Sequence, residues 1–434
     1  MEPSLDPNQQ SSHNPLLAWL PTLKREIWIL AAGQLLLFIG QGFTLVYASI
    51  YFVNELGFSP TQVGLAQGSM GVSGTLGRFW AGNAVDHSTL GRRGTLLIAA
   101  AIAALGSFCL SFATTYPLLV VGNLLLGLGI SLYWPATLAV TVDLTPPEHR
   151  TEAIALTRLA DNLGIGLGAL IAGQYIAMAG NYQILFICKG LAYLAFAGVV
   201  FVAIAETRQA SSHGPKPDML SNWRQALSDR RLLTYLIANI FFTTYAAQIS
   251  STLPLYLSNF VPGGNTETGF SERIISYFFV WHAGLKIVLQ LPVTRGLRSV
   301  PHVLILLGSL VLWAVGMLFI WLIGIVSANA VLIALVAFGV IAIAEISYSP
   351  SASALVGDMA PENLRGIYFA LDSECWAIGF LIGPTLGGWA LDHPSLLGKN
   401  LWLLLLITTG ITAGILLLLR RELGDNPPQE IHPV

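Results

Sequence analysis

Asp161 follows Arg158 by three residues, and Lys286 follows His282 by four; both pairs stand inside apolar runs, as do Glu345 and Glu374. Spacings of three and four put two side chains on one helix face. An ionisable group deep in hydrocarbon costs ~2.5 kcal/mol or more unless it faces protein or water. These residues therefore point to an interior lined by protein. Arg158 and Asp161 can form a neutral clasp, or Asp161 can take up a proton while Arg158 turns elsewhere. Lys286 needs an anionic partner or must lose its charge. Glu345 is the first choice for that partner and Glu374 the second. A carboxyl that alternates between a dry site beside a lysine and a wetter one can load and release a proton. The competing reading is a permanent Lys286–Glu345 ion pair that only joins two helices. Arg78 and Lys189 are expected to snorkel toward the nearest surface, and Asp372, closer to a helix end, is read as wet.

Bond-breaking chemistry is not expected. No glycine-rich loop followed by Lys and Ser/Thr offers a nucleotide site. Cys109, Cys188 and Cys375 are isolated, so neither a metal site nor a disulfide framework is indicated. The reading is a non-enzyme without cofactor.

The elements that must hold these side chains are membrane spans. Of 434 residues 54% are hydrophobic and 10% charged, with mean hydropathy +0.67, where a soluble domain carries roughly 25% charged residues. A net charge of −2 gives no case for nucleic acid. A span needs about 20 largely apolar residues. Cutting at polar clusters gives twelve spans, near 27–51, 61–85, 94–113, 117–142, 152–178, 182–204, 232–258, 272–294, 302–323, 328–356, 365–391 and 400–419. With both ends inside, basic residues such as Lys24, Arg92, Arg150, Arg230, Arg298, Arg365 and Arg420 fall in inner segments, while the outer ones hold only Arg273 and Lys399. That bias places both ends in the cytoplasm and the chain in the cell membrane. The expected organisation is a cytoplasmic tail (1–23), a six-helix bundle (24–205), a cytoplasmic linker (206–231), a second bundle (232–420) and a short tail (421–434). The first tail has no basic stretch leading into an apolar core, so it does not read as a signal peptide. Trp223–Arg231 in the linker reads as a short interfacial helix or a plain tether.

The two bundles are copies of one design. Asp143–Arg150 reads DLTPPEHR, and 215 residues later Asp358–Arg365 reads DMAPENLR. The register holds for about 45 residues, matching Tyr133 with Tyr348, Pro135 with Pro350, Gly164 with Gly379 and Gly173 with Gly388. Parallel halves in an apolar chain imply two bundles that rock around a central site.

Between spans 2 and 3 the chain reads GNAVDHSTLGRRGTLL, residues 82–97. Asp86, Arg92 and Arg93 can join helix ends through charge-assisted hydrogen bonds, with Asp143 as a third partner. Such a cluster is expected to latch the bundles when the inner side is closed. This segment resembles the loop signature of the major facilitator superfamily: Gly82, Asp86, Gly91, Arg92 and Arg93 match it. His87 stands where Arg is usual, and the Asp-to-Gly interval is two residues longer. The resemblance implies an all-α membrane fold of twelve helices in two pseudo-symmetric six-helix bundles, with spans 1, 4, 7 and 10 lining a cavity. It assigns Arg150 and Arg365, with Asp143 and Asp358, to the cytoplasmic turns after spans 4 and 10. Within the family the drug/proton antiporters are the nearest likeness. GPTLGG at Gly383–Gly388 resembles their glycine-rich motif, which normally lies on span 5 rather than span 11. Their usual span-1 acid is replaced here by Gln34 and Gln41, and their span-4 Arg by Asn123.

The expected cavity lining is Gln34 and Gln41 on span 1, Asn123, Tyr133 and Trp134 on span 4, Tyr245 and Gln248 on span 7, Tyr348 on span 10 and Trp376 on span 11. Pro135 and Pro350 interrupt the backbone ladders of spans 4 and 10 and allow bending. Aromatics with few fixed charges suit a small amphipathic organic molecule. The leading expectation is a monomeric, proton-coupled exporter whose partners are that molecule, protons and the lipid bilayer. An uptake symporter or uniporter of a neutral metabolite, and a non-transporting sensor or assembly factor, are the rivals.

Overall fold

A computed structural model describes residues 23–86, 90–146, 149–206, 219–361 and 364–424. Gly82 and Asp86 lie where only the helix backbone is described, and His87 lies outside the described residues. The described chain is helical and contains no strand. In lipid every backbone N–H and C=O must be paired within the protein, and helices do this locally.

The spans are span 1 (Arg25–Leu45, extended by a short helix and a π-helical turn to Glu55), span 2 (Pro60–Asp86), span 3 (Gly91–Ser111), span 4 (Tyr116–Leu144), span 5 (Arg150–Ala179) and span 6 (Gln183–Ala203). The linker helix (Met219–Ser228) follows. Then come span 7 (Arg230–Asn259), span 8 (Glu272–Gly296), span 9 (His302–Ile323), span 10 (Ala330–Met359), span 11 (Arg365–Asp392) and span 12 (Leu401–Leu423). Eleven are long and apolar enough to cross a membrane by composition alone. Span 2 is the twelfth: as long as the others at 27 residues, it carries Gly, Ser and Thr where its neighbours carry Leu and Ile. That composition suits its position, packed by its backbone between spans 4 and 11.

Local sequence sets several helix ends. Asp229 caps span 7, its Oδ1 accepting from the backbone N–H of Arg231 at 2.9 Å. Pro117 enters the first turn of span 4, where its missing N–H costs nothing. Gly180 ends span 5 with φ +64°, a conformation glycine adopts without a Cβ clash. Pro135, Pro254, Pro292, Pro350 and Pro384 lie within helices that continue past them.

The repeat is visible in the packing. Span 1 packs on spans 5 and 6, span 3 on spans 4 and 6, and span 2 on span 4; span 7 packs on spans 11 and 12, span 9 on spans 10 and 12, and span 8 on span 10. Each contact in one half has its counterpart six spans later. The halves meet chiefly through two further pairs, span 2 with span 11 and span 5 with span 8. These also map onto one another when the halves are exchanged. The face at which span 1 begins and span 12 ends is called inner below, the opposite face outer.

Small residues permit the close approaches. A Cβ on Gly64 would overlap the carbonyl oxygen of Pro384, one on Gly388 that of Pro60, and one on Gly71 that of Ala377. Within the first half, a Cβ on Gly42 would overlap the oxygen of Ile165 and one on Gly168 that of Ile39. Helices in lipid associate through such contact rather than hydrophobic expulsion. The glycine-rich segment Gly379–Gly388 has the same role on both sides of span 11: Gly379, Gly383 and Gly387 face Thr243, Ala247 and Thr252 of span 7, while Gly388 faces span 2.

Candidate functional site

Two clusters of charged residues lie within the spans at one depth, one in each half. In the second half, Lys286 Nζ donates to Glu345 Oε2 at 2.7 Å, and His282 Nε2 lies 3.5 Å from the same oxygen. His282 and Lys286 present one face of span 8, and Glu345 meets them near the middle of span 10. The Glu345 side chain is 16% exposed and that of Lys286 28%. The ring of His282 stands edge-on to Phe338, centroids 6.1 Å apart.

In the first half, Arg158 Nη1 lies 3.7 Å from Asp161 Oδ2. The Arg158 guanidinium also sits over the Trp134 ring, 4.5 Å from its centroid. Asp161 is buried, and its Oδ1 accepts no hydrogen bond among the described residues. Beside this pair lies a small cleft of about 50 Å³, lined by Leu37, Phe38, Gln41, Ile130, Tyr133, Trp134 and Tyr193. Phe38, Tyr133 and Trp134 pack with centroids 5.3–6.2 Å apart. Gln34 and the Tyr133 hydroxyl are buried nearby, and neither Gln34 Oε1 nor that hydroxyl has a hydrogen-bond partner in the described structure.

The clusters are brought together by the span 5–span 8 contact. Gly173 lies against Ser276, and Gly166 against Ala283. Continuing that antiparallel register inward puts Leu163 opposite Lys286. Asp161 then lies within about 3 Å of the same depth, at 1.5 Å of rise per residue.

Several expected site residues are placed elsewhere. Glu374 does not reach Lys286. It crosses between the halves instead, accepting from Thr75 Oγ1 at 2.7 Å and pairing with Arg78 Nη1 at 3.5 Å. The face of span 11 that carries Glu374 is turned toward span 2, and Arg78 is therefore paired rather than snorkelling. Tyr245 points away from any central cavity: its hydroxyl bonds Thr408 at 2.9 Å and its ring packs on Trp313. Gln248 is fully buried against span 11, where a Cβ on Gly387 would lie 2.5 Å from its Oε1. Asn123 is buried and spends its amide on its own helix, donating to the Leu119 carbonyl at 2.8 Å. Tyr348 donates to Asn239 Oδ1 and stacks on Phe242 at 4.5 Å. Trp376 is 37% exposed and stacks on Phe380 of its own helix.

At the inner face the charged groups pair within each half. Arg92 pairs with Asp143, joining spans 3 and 4 of one half rather than the two halves. The second half has a counterpart: His302 at the start of span 9 lies 3.6 Å from Asp358 at the end of span 10. Arg93 turns to the end of span 6, its guanidinium 4.9 Å from the Phe201 ring. Glu206, unnoticed in the sequence, accepts from the backbone N–H groups of Arg92 and Arg93 at 3.0 and 3.1 Å and so caps span 3. Gly91, with φ +60°, makes room for it, since a Cβ there would overlap the Glu206 carboxylate. Arg150 and Arg365 are exposed at the starts of spans 5 and 11.

Two further groups have partners that their depth in the sequence did not indicate. Lys189 is buried, its Nζ donating to Thr44 Oγ1 at 3.0 Å. Asp372 is held by span 7, its Oδ1 accepting from Tyr235 at 2.7 Å and Asn239 at 2.8 Å. The available signal was the four-residue spacing of Tyr235 and Asn239, which aims two donors from one helix face.

Polar contacts between the halves concentrate at the outer face. Ser49 donates to the Ser251 carbonyl at 2.7 Å, Asn54 and Asn259 exchange amide hydrogen bonds at 3.0 and 2.7 Å, and Thr61 donates to Asp392 at 2.6 Å. The Tyr182 hydroxyl donates to Glu272 at 2.8 Å. The conformation is closed at the outer face.

Paired six-helix halves, a glycine-packed interface and charged clusters at mid-depth define a membrane transporter. Residues 30–265 and 257–433 match the Major Facilitator Superfamily, and the chain belongs to it. The multidrug resistance protein MdtH of Photorhabdus laumondii is 25% identical over 383 residues, covering 87% of this chain and 90% of the relative. MdtH of Salmonella typhimurium is 26% identical over 383 residues, covering 86% and 89%. Among solved structures, the nucleoside transporter NupG superposes with a TM-score of 0.73 at 13% identity, covering 91% of this chain and 99% of that one. An auto-inhibited POT family peptide transporter superposes with a TM-score of 0.74 at 12% identity, covering 95% and 99%. At these identities the structures establish the shared fold.

Proposed function

We propose that the protein exports small amphipathic organic compounds in exchange for protons, as a monomer in the cell membrane with both chain ends in the cytoplasm. The observation that carries this reading is the His282–Lys286–Glu345 cluster, a carboxylate held by a lysine in the interior of a membrane-spanning half. The relatives named as multidrug resistance proteins support the substrate class. So does the aromatic cleft under Phe38, Tyr133 and Trp134, which has no fixed carboxylate on span 1.

In the outer-closed conformation Lys286 keeps Glu345 in an ion pair. Span 8 packs on span 5 of the other half, so rocking of the halves acts on Lys286 through its own helix. Loosening the pair frees Glu345 to take a proton, and binding the proton differently in the two conformations shifts their populations. The Arg158–Asp161 pair, on span 5 at the same depth, feels the same motion.

The test is transport in inside-out membrane vesicles energised to acidify the lumen, with a panel of fluorescent amphipathic dyes. Accumulation that collapses on adding a protonophore is expected. Accumulation indifferent to the protonophore, or none for any dye, contradicts the reading. A second reading is supported by Gln34 and Gln41, which give span 1 amides in place of an acid: uptake of a neutral metabolite. It predicts inward flux in right-side-out vesicles.

A further inference from the structure

Three acid–base pairs account for most of the ionisable groups deep in the spans: Arg78 with Glu374, Arg158 with Asp161, and Lys286 with Glu345. Asp372 has no such partner among the described residues. It lies two turns from the inner end of span 11, and its Oδ1 accepts two neutral donors, the Tyr235 hydroxyl and the Asn239 amide, both from span 7. The network extends further. Asn239 Oδ1 accepts from the Tyr348 hydroxyl of span 10, and the Tyr235 hydroxyl also lies 3.4 Å from the Ala352 carbonyl of the same span. The Asp372 side chain is partly buried, and at this depth, with only neutral donors, its charge has no counter-charge beside it unless it binds a proton.

We propose that Asp372 is the carboxyl that holds a proton in the outer-closed conformation, within a Tyr235–Asn239–Tyr348 network joining spans 7, 10 and 11. The inference rests on the proton-coupled reading and names a site that reading did not include. The proton adds to Oδ2, which accepts no hydrogen bond among the described residues, and returns by the same route to water at the inner face.

Among the described residues no cation pairs with Asp372. Span 7 presents Tyr235 and Asn239. Span 10 presents Tyr348, with Glu345 one turn further outward. On span 11 itself, Tyr368 donates to Asp229, and the Cys375 thiol donates to carbonyls of Leu236 and Leu371. Span 2, packed on the other side of span 11, offers Arg78, which Glu374 engages. Because the partners of Asp372 come from two other helices, its proton and the relative placement of spans 7, 10 and 11 are linked.

Infrared difference spectroscopy on the full chain in lipid, between neutral and alkaline buffer, tests this. A carboxylic C=O stretching band present at neutral pH is expected, lost in Asp372→Asn and kept in Glu345→Gln and Asp161→Asn. A band that persists in Asp372→Asn, or no band in the native chain, overturns the proposal. If Asp372→Asn does not fold, Tyr235→Phe removes one hydrogen bond to the carboxyl and must displace the band; an undisplaced band is equally fatal. If the band is assigned to Asp372 but substrate moves no protons in the native chain, the proton site stands and the coupled-export reading falls.

Discussion

Lys286 and Glu345, 2.7 Å apart, join span 8 to span 10 inside one half of the molecule. Both partners travel together when the halves rock, so the pair is broken only by a shift of span 8 against span 10. Span 8 is also one of the helices that the other half touches. The ion pair is therefore placed where motion between halves becomes motion within one.

Removing one member of a mostly buried pair leaves an uncompensated charge and typically costs about 3 kcal/mol or more, whereas replacing both with apolar groups of similar volume is close to neutral. Lys286→Met is expected to lower the unfolding temperature of the purified protein in detergent. Lys286→Met combined with Glu345→Gln should recover most of that loss. Equal losses in the single and double variants would mean the charges do not act on each other.

Span 2 and span 11 touch backbone to backbone at Gly64 and Gly388. Gly64→Val puts methyl groups where the Pro384 carbonyl stands and should force the outer ends apart. The expected result is faster labelling by an impermeant thiol reagent at Ser251→Cys, which lies behind the Ser49 contact. Loss of the Asn54–Asn259 hydrogen bonds should act in the same direction and more weakly, about 1 kcal/mol each or roughly fivefold in the population. Unchanged labelling in Gly64→Val would show that this contact does not close the outer face.

Lys189 occupies a buried site whose one hydrogen-bond partner among the described residues is the neutral Thr44. A buried amine without a counter-ion destabilises its surroundings. Lys189→Met, which keeps the unbranched chain, should raise the unfolding temperature. A lower one would mean that the amine contributes to the fold beyond its contact with Thr44.

The span pattern, the repeat and the depth of each charge were legible in the sequence because all three are one-dimensional properties: hydropathy, register and distance from a polar boundary. Rotation about a helix axis was not. Glu345 and Glu374 are both acids deep in adjacent spans, and only packing decides that one faces Lys286 and the other Arg78. Lys189 illustrates the same gap. Its depth suggested snorkelling, but Gly40 lets span 1 come close enough to bury it, since a Cβ there would lie 3.2 Å from the Lys189 Cα. Asp372 is partly exposed, as its place near a helix end suggested; what depth alone did not show is that Tyr235 and Asn239 of a neighbouring helix hydrogen-bond its Oδ1. Span 2, the least apolar span, was still recovered because polar clusters bound a largely apolar run long enough to cross.

Substrate-dependent proton movement by the protein reconstituted into vesicles, followed with an internal pH dye, addresses the central claim most directly. With a dye or drug identified as a transported compound, the native chain should move protons opposite to it, and Glu345→Gln and Asp161→Asn should abolish that movement while the compound still binds. Proton movement in both variants equal to that of the native chain would contradict the account.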